Sequence, residues 1–255
     1  MPCEVSGTTI SNEPGDLMRV DLQKAFVLHT RNFTDSRLLV ELFTLDQGRL
    51  GAVARSSKKS GRFALLRPFQ PLLVSWQGKS DLKSLIHIEG EAPPINVTGN
   101  RLYCGMYLNE LLLRVTTVSD PHPDLFHTYH RALTSLAQDK AIEPVLRDFE
   151  LDLLAELGYG IPFDVDAETG QPITPEGFYS FTADSGFSAW IGELPPMMQL
   201  GVSKGIFSGA TILAVGRREF DVPQVLLAAK FICRRALQPL LGDKPLKSRE
   251  LFGGT

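Results

Sequence analysis

Cysteine is scarce in this chain: three residues in 255, at positions 3, 104 and 233. None forms a C-x-x-C pair, so neither a disulfide framework nor a cysteine-rich zinc site fits the spacing, and a reducing compartment is expected. Long apolar runs are also missing. Val225-Leu-Leu-Ala-Ala229 is typical, far short of the roughly 18 residues that cross a bilayer as a helix. Residues 1–20 carry Glu4, Glu13 and Asp16 and no apolar core segment, so they read as a flexible leader and not as a signal peptide. The phosphate-cradling patterns G-x-x-x-x-G-K-S/T and G-x-G-x-x-G are absent, as is H-E-x-x-H, which argues against nucleotide hydrolysis and a zinc protease. What remains is 43% hydrophobic and 22% charged, the balance of a folded chain of one to two domains.

The net charge of −3 hides a segregation. Between residues 49 and 83 stand Arg49, Arg55, Lys58, Lys59, Arg62, Arg67, Lys79 and Lys83 against Asp81 alone. From Asp139 to Glu193 twelve acids face only Lys140 and Arg147. From residue 230 the sign reverts, with Lys230, Arg234, Arg235, Lys244, Lys247 and Arg249 against Asp243 and Glu250. A polyanion responds to local potential and not to net charge, so the two basic stretches are where it would be held.

The apolar period changes once along the chain. Residues 25–30, 37–45, 50–54, 69–76 and 85–89 read as five short strands, with Asp46-Gln-Gly-Arg49 as a hairpin turn and residues 56–62 as a basic loop. Such a series predicts a small barrel or sandwich. After Pro93-Pro94 the period becomes 3.6. Residues 101–115 predict a helix apolar nearly all round and hence central. Helices follow over 124–137, with Leu125, Phe126, Tyr129, Leu133 and Leu136 inward, and from Ile142 to Gly158. A loop-rich insert is expected over 161–196 and a short helix over 197–208. Asp221 is expected to cap a last helix to Leu237 that Pro239 bends or ends. By pattern the fold class is α+β: a five-stranded β-barrel over residues 21–95, then a helical bundle over 96–255.

Three constellations carry chemistry, each with an ordinary alternative. His122, His127 and His130 could ligate a metal in a nucleic-acid hydrolase, but the wheel puts His127 and His130 on the solvent side, and no further ligand closes a tetrahedron. The cations of 49–83, with Phe33 and Phe63 nearby, suit single-strand binding by a barrel, DNA or RNA, or are ordinary solvated loop residues. In the third helix Val145, Leu146, Phe149, Leu153 and Leu157 make the core face, while Arg147, Leu151 and Leu154 share another stripe. That stripe is either a carboxylate clamp beside an apolar pocket for a peptide C-terminus or a second buried side with a paired Arg.

Lys24-Ala-Phe-Val-Leu-His29, Phe69-Gln-Pro-Leu-Leu73, Tyr107-Leu-Asn-Glu-Leu-Leu112, Arg147-Asp-Phe-Glu-Leu-Asp-Leu-Leu154, Leu157-Gly-Tyr-Gly160 and Pro245-Leu-Lys-Ser-Arg-Glu-Leu-Phe252 resemble, in order, the bacterial RecO family of recombination mediators. The resemblance implies an N-terminal OB-fold and a C-terminal helical domain. It further implies a non-enzymatic repair factor, acting in the cytoplasm on the nucleoid. Such a factor binds single- and double-stranded DNA, anneals complementary strands and, with RecR, helps load RecA onto strands covered by single-stranded-DNA-binding protein (SSB). Phosphate contacts are then expected from Arg37, Arg55, Lys58, Lys59 and Arg62 of the barrel and from Lys244, Lys247 and Arg249. Arg147, Leu151 and Leu154 become the expected pocket for the acidic C-terminal tail of SSB. Many family members hold zinc through four cysteines after the Gly-Tyr motif. Here Ile161-Pro-Phe-Asp-Val-Asp-Ala-Glu-Thr-Gly170 contains none, so no metal or other cofactor is carried over, and packing and hydrogen bonds must hold the insert unless it is mobile.

Overall fold

The computed structural model describes residues 18–34, 36–55, 64–138, 140–193, 202–203 and 205–250. They fall into two compact units: one comprises the chain up to residue 96 together with 116–126, the other comprises 97–115 together with the chain from 127 onward.

The first unit is built on strands β1 (Arg19–Thr34), β2 (Arg37–Thr44), β3 (Gly48–Arg55), β4 (Leu72–Gln77) and β5 (Leu82–Gly90). They close into a barrel in the order β1-β2-β3-β5-β4. Only the β3–β5 pairing is parallel; the other four are antiparallel. Alternation along the strands sends Val20, Val27, Val40, Leu42, Leu50, Ala52, Leu72, Val74 and Trp76 into one interior cluster. Burying each large apolar side chain contributes roughly 1.5 to 3 kcal/mol. The β2–β3 hairpin turns where the sequence places it. Gly48 sits at φ +64°, and a Cβ there would lie 2.0 Å from the Asp120 carbonyl oxygen, so both conformation and space demand glycine.

The second unit contains α1 (Asn100–Val115), α2 (Pro123–Ala137), α3 (Ile142–Glu156), α4 (Gly209–Gly216), α5 (Pro223–Leu241) and α6 (Lys247–Glu250), the first turn of α2 lying in the other unit. A small sheet of β6 (Phe178–Thr182), β7 (Gly186–Ala189), β8 (Val202–Ser203) and β9 (Ile206–Ser208) runs in the order β7-β6-β9-β8. Several expectations are corrected here. The insert is not loop alone, because Tyr179, Phe181 and Phe187 supply a buried face; strands of four or five residues show too few inward positions to register as a period. The stretch expected as a helix over 197–208 contains β8 and β9, and the helix follows at α4, with the Ser208 hydroxyl capping it through Thr211 N–H. α5 begins at Pro223 behind Val222, with no side-chain cap from Asp221, and it continues through Pro239 to Leu241. α1 is central but not enclosed, since Leu102 and Met106 are exposed.

Candidate functional site

At one end of the barrel the pairing register collects cations. Thr34 pairs with Arg37 across the β1–β2 hairpin, and Arg37 lies directly opposite Arg55 across β2 and β3. Like charges at directly opposed positions repel. Among the described residues no acid forms an ion pair with Arg31, Arg37 or Arg55, and all three are exposed. Between Asn32 and Thr34 the register slips, leaving Phe33 as an extra residue in β1, half exposed at 51%. A bulge of this kind re-aims a side chain away from the regular ladder. An unneutralised arginine pair beside an outward aromatic ring has the composition of a single-strand site, with cations for phosphate and a flat face for a base. Arg31 was missed in the sequence, although its place in β1, two residues before Phe33, was the available signal. Lys58, Lys59, Arg62 and Phe63 lie outside the described residues. Arg49, by contrast, is structural: it bonds the Thr116 carbonyl at 3.2 and 3.1 Å and the Glu41 carboxylate at 3.3 Å.

The C-terminal basic segment is held by α1. The Glu110 carboxylate accepts hydrogen bonds from Lys247 N–H, Ser248 N–H and the Ser248 hydroxyl at 2.9, 2.8 and 2.7 Å. Burial pushes this carboxyl up, but the Ser248 and Lys247 donors outweigh it and hold it below its ordinary range. Arg114 donates to the Leu241 and Pro245 carbonyls, and Leu246 is buried. The backbone is thus fixed while Lys244 and Lys247 stand exposed; the side chain of Arg249 lies outside the described residues.

The third-helix stripe divides. Leu151 and Leu154 are buried at 8% and 0% exposure, because α3 is covered on two sides, by α5 and α1. They are core, as one of the two sequence readings held. Arg147 is buried at 4% yet lines a groove of about 330 Å³ together with Cys104, Tyr107, Ile142, Glu143, Leu146, Lys230 and Arg234. Its Nη2 donates to Glu150 Oε1 at 2.7 Å, and Tyr107 donates to the same oxygen at 2.5 Å. Burial alone would lower the Arg147 pKa, but the Glu150 carboxylate raises it and keeps the guanidinium charged. Burial in turn pushes the Glu150 carboxyl up, against the pull of Arg147 and Tyr107. The Nε and Nη1 of Arg147 are buried without a hydrogen-bond acceptor. The apolar lining comes from Ile142 and Leu146, one turn apart, and the added cations come from α5. Sequence reasoning noticed the basic run at 230–235 but left Lys230 and Arg234 unassigned, since nothing within α5 shows that they meet α3.

The insert tests the family's zinc. Its described residues do not fit that metal: there is no thiol in 161–196, and among the described residues no group of three or more His, Cys, Asp or Glu could hold an ion. The Asp166 carboxylate takes the structural part instead, accepting from Glu168, Thr169 and Ala189 N–H, each at 2.9 Å. Ala167 N–H donates to the Phe187 carbonyl at 2.7 Å, so the loop covers the outer edge of β7. Phe163, Phe181 and Phe207 pack around Phe187 at 5.7, 5.0 and 6.4 Å. His122, His127 and His130 likewise belong to no such group among the described residues, and His127 and His130 are exposed.

Comparison with known proteins covers nearly the whole chain. Residues 18–93 match the family model "Recombination protein O N terminal" and residues 97–250 match "Recombination protein O C terminal". The chain is 42% identical over 240 residues to the DNA repair protein RecO of Methylococcus capsulatus, covering 93% of this chain and 95% of that one. It is 45% identical over 231 residues to the RecO of Stutzerimonas stutzeri, covering 90% and 92%. With the RecO of Coxiella burnetii it shares 41% over 236 residues, covering 92% and 98%.

Proposed function

The chain belongs to the RecO family, recombination mediators and not enzymes, and from that premise we propose that it acts on DNA through two separate kinds of site. The barrel end binds single- and double-stranded DNA, and the cations of 244–249 provide a second phosphate-binding surface. Holding two backbones close neutralises the repulsion that opposes pairing, so complementary strands anneal without a nucleotide or a metal. With RecR, the protein helps RecA load onto strands covered by SSB, in the cytoplasm, on the nucleoid. The groove of Arg147, Lys230 and Arg234, floored by Ile142 and Leu146, receives the C-terminal tail of SSB, an acidic peptide that ends in an apolar residue with a free carboxylate. Arg147 keeps this role, with Ile142 and Leu146, and not Leu151 and Leu154, as its apolar neighbours.

The observation that carries the DNA assignment is the Arg37–Arg55 pair, opposed across β2 and β3 with no acid to offset it among the described residues. An arrangement that costs stability in the free protein is repaid when an anion binds. Anisotropy of a labelled single strand, titrated with salt, tests it. Replacing both residues by Ala should weaken binding alike for unrelated sequences and reduce the slope of log K on log salt by about 1.4, or roughly 0.7 per lost phosphate contact. An unchanged slope would remove these arginines from the DNA path.

A further inference from the structure

The groove already contains one carboxylate. Glu143, in the first turn of α3, places Oε1 2.7 Å from Lys230 Nζ. Its Oε2 stands 3.5 Å from Arg147 Nη1. That second contact is within ion-pair range but makes no hydrogen bond: Glu143 Oε2 lacks a donor, and Arg147 Nη1 and Nε lack acceptors, all three being shielded from water. Buried donors and acceptors in this condition favour any partner that reaches them with better geometry.

The two sides of the contact differ in freedom. Arg147 is 4% exposed and anchored from behind by Glu150, whereas the Glu143 side chain is 40% exposed at the rim. Glu143 can turn into water, and Arg147 cannot follow it. We propose that Glu143 is an internal competitor for the groove: it pairs with the same two cations that a peptide's terminal carboxylate requires, so the peptide binds by displacing it. The proposal rests on the reading of this groove as a carboxylate pocket.

Specificity follows from the exchange. A free C-terminus replaces the carboxylate it expels, and the charges of Lys230 and Arg147 remain compensated. An amidated end or an internal acidic segment gives Arg147 no such replacement, so it leaves Glu143 in place and gains nothing from the exchange. The built-in acid thus sets the affinity for a free carboxylate and leaves that of a ligand unable to expel it nearly unchanged.

The experiment uses the full chain and two labelled peptides, both rich in Asp and ending in Phe, one with a free carboxylate and the other amidated. Wild type should prefer the free acid. Glu143→Gln, equal in size and at a partly exposed position, should tighten the free acid by about tenfold, the effect of removing one competing charge-assisted contact. The amide should change by less than about twofold, because repulsion between Glu143 and the more distant aspartates is screened. Glu143→Ala should repeat the pattern, which separates the lost carboxylate from any contact the glutamine makes. Equal gains for both peptides would reduce Glu143 to background charge and overturn the proposal, as would no gain for either in a protein that binds the free acid. If wild type binds neither peptide, the groove itself is misassigned, a result distinct from the other two.

Discussion

The barrel and the helical unit use arginine in opposite ways. At the barrel end Arg31, Arg37 and Arg55 are exposed and carry no ion pair among the described residues, and two of them oppose each other across strands. In the helical unit Arg147 is buried against Glu150, and Arg218 reaches Asp148 at 3.0 Å and also pairs with Asp152. The first arrangement leaves its charge uncompensated among the described residues, which would suit a phosphate backbone recognised at any sequence. The second has already spent most of its charge on the fold. Only Nε and Nη1 of Arg147 are left without a hydrogen-bond acceptor, which would suit one carboxylate in one orientation.

The largest expected effect separates these two kinds on stability. Glu150→Ala would leave the Arg147 guanidinium buried beside nothing but the imperfect contact with Glu143, and removing one member of a buried pair costs about 3 to 5 kcal/mol. Arg37→Ala should stay within about 0.5 kcal/mol of wild type, as for ordinary surface positions. Urea denaturation of the two variants measures both. Comparable destabilisation would mean that the barrel arginines are structural after all.

A second test concerns where acid attacks first. The N–H donors of Thr169, Glu168 and Ala189 hold the Asp166 carboxyl below its ordinary range. An acid whose folded pKa is depressed contributes stability above its unfolded pKa, near 3.9, and loses it as pH falls toward and through the lower folded value. Glu110 lies below its ordinary range as well, so it adds the same sign to the attachment of the C-terminal segment. Amide exchange at Thr169 and Ala189 should therefore quicken as pH falls below about 4, after correction for the intrinsic rate. Asp166→Ala should quicken it already at neutral pH, by the roughly 1 to 3 kcal/mol of unsatisfied donors. Protection that survives the substitution would show that aromatic packing alone closes the insert.

How far these features were legible follows from the distance over which each is encoded. The barrel was legible because alternation is local: Val40, Leu42, Ala52 and Val74 declare their faces within a few residues. α2 was legible for the same reason at period 3.6, and all five residues expected inward are buried. The small sheet was not, because its β6–β7 hairpin is too short to register as a period and β6 pairs with β9 26 to 30 residues later, beyond any local window. α4 was hidden by its shortness and by glycine at both ends. Arg147 stood out in the sequence as a cation among acids and leucines, yet Leu151 and Leu154, expected beside it, are buried, and the groove that it lines takes its apolar part from Ile142 and Leu146. A stripe on one helix says which side chains share a face, not which of them a second helix covers. Lys230 and Arg234 complete the groove only through tertiary packing of α5 on α3.

The smallest effect on stability gives the sharpest form of the comparison. Arg55→Glu places an acid directly opposite Arg37, converting a repelling cross-strand pair into an attracting one. Opposed charges of unlike sign contribute roughly 0.2 to 1 kcal/mol in a sheet, so the variant should be slightly more stable than wild type. Binding should move the other way. The substitution removes one phosphate contact, occupies Arg37 with an internal partner and adds a charge that repels the backbone, so single-strand affinity should fall at every sequence and the salt slope should flatten. Binding of a free-acid peptide to the groove should be untouched, since no groove residue changes. Thermal unfolding, oligonucleotide anisotropy and peptide anisotropy on this one variant read the three quantities together. A stabilised protein with weakened DNA binding and a normal peptide response would place the unpaired arginines among features kept for function at a cost in stability. A loss of stability would mean that Arg55 makes a contact the opposed pair conceals, and unchanged DNA affinity would move the nucleic-acid path off this end of the barrel.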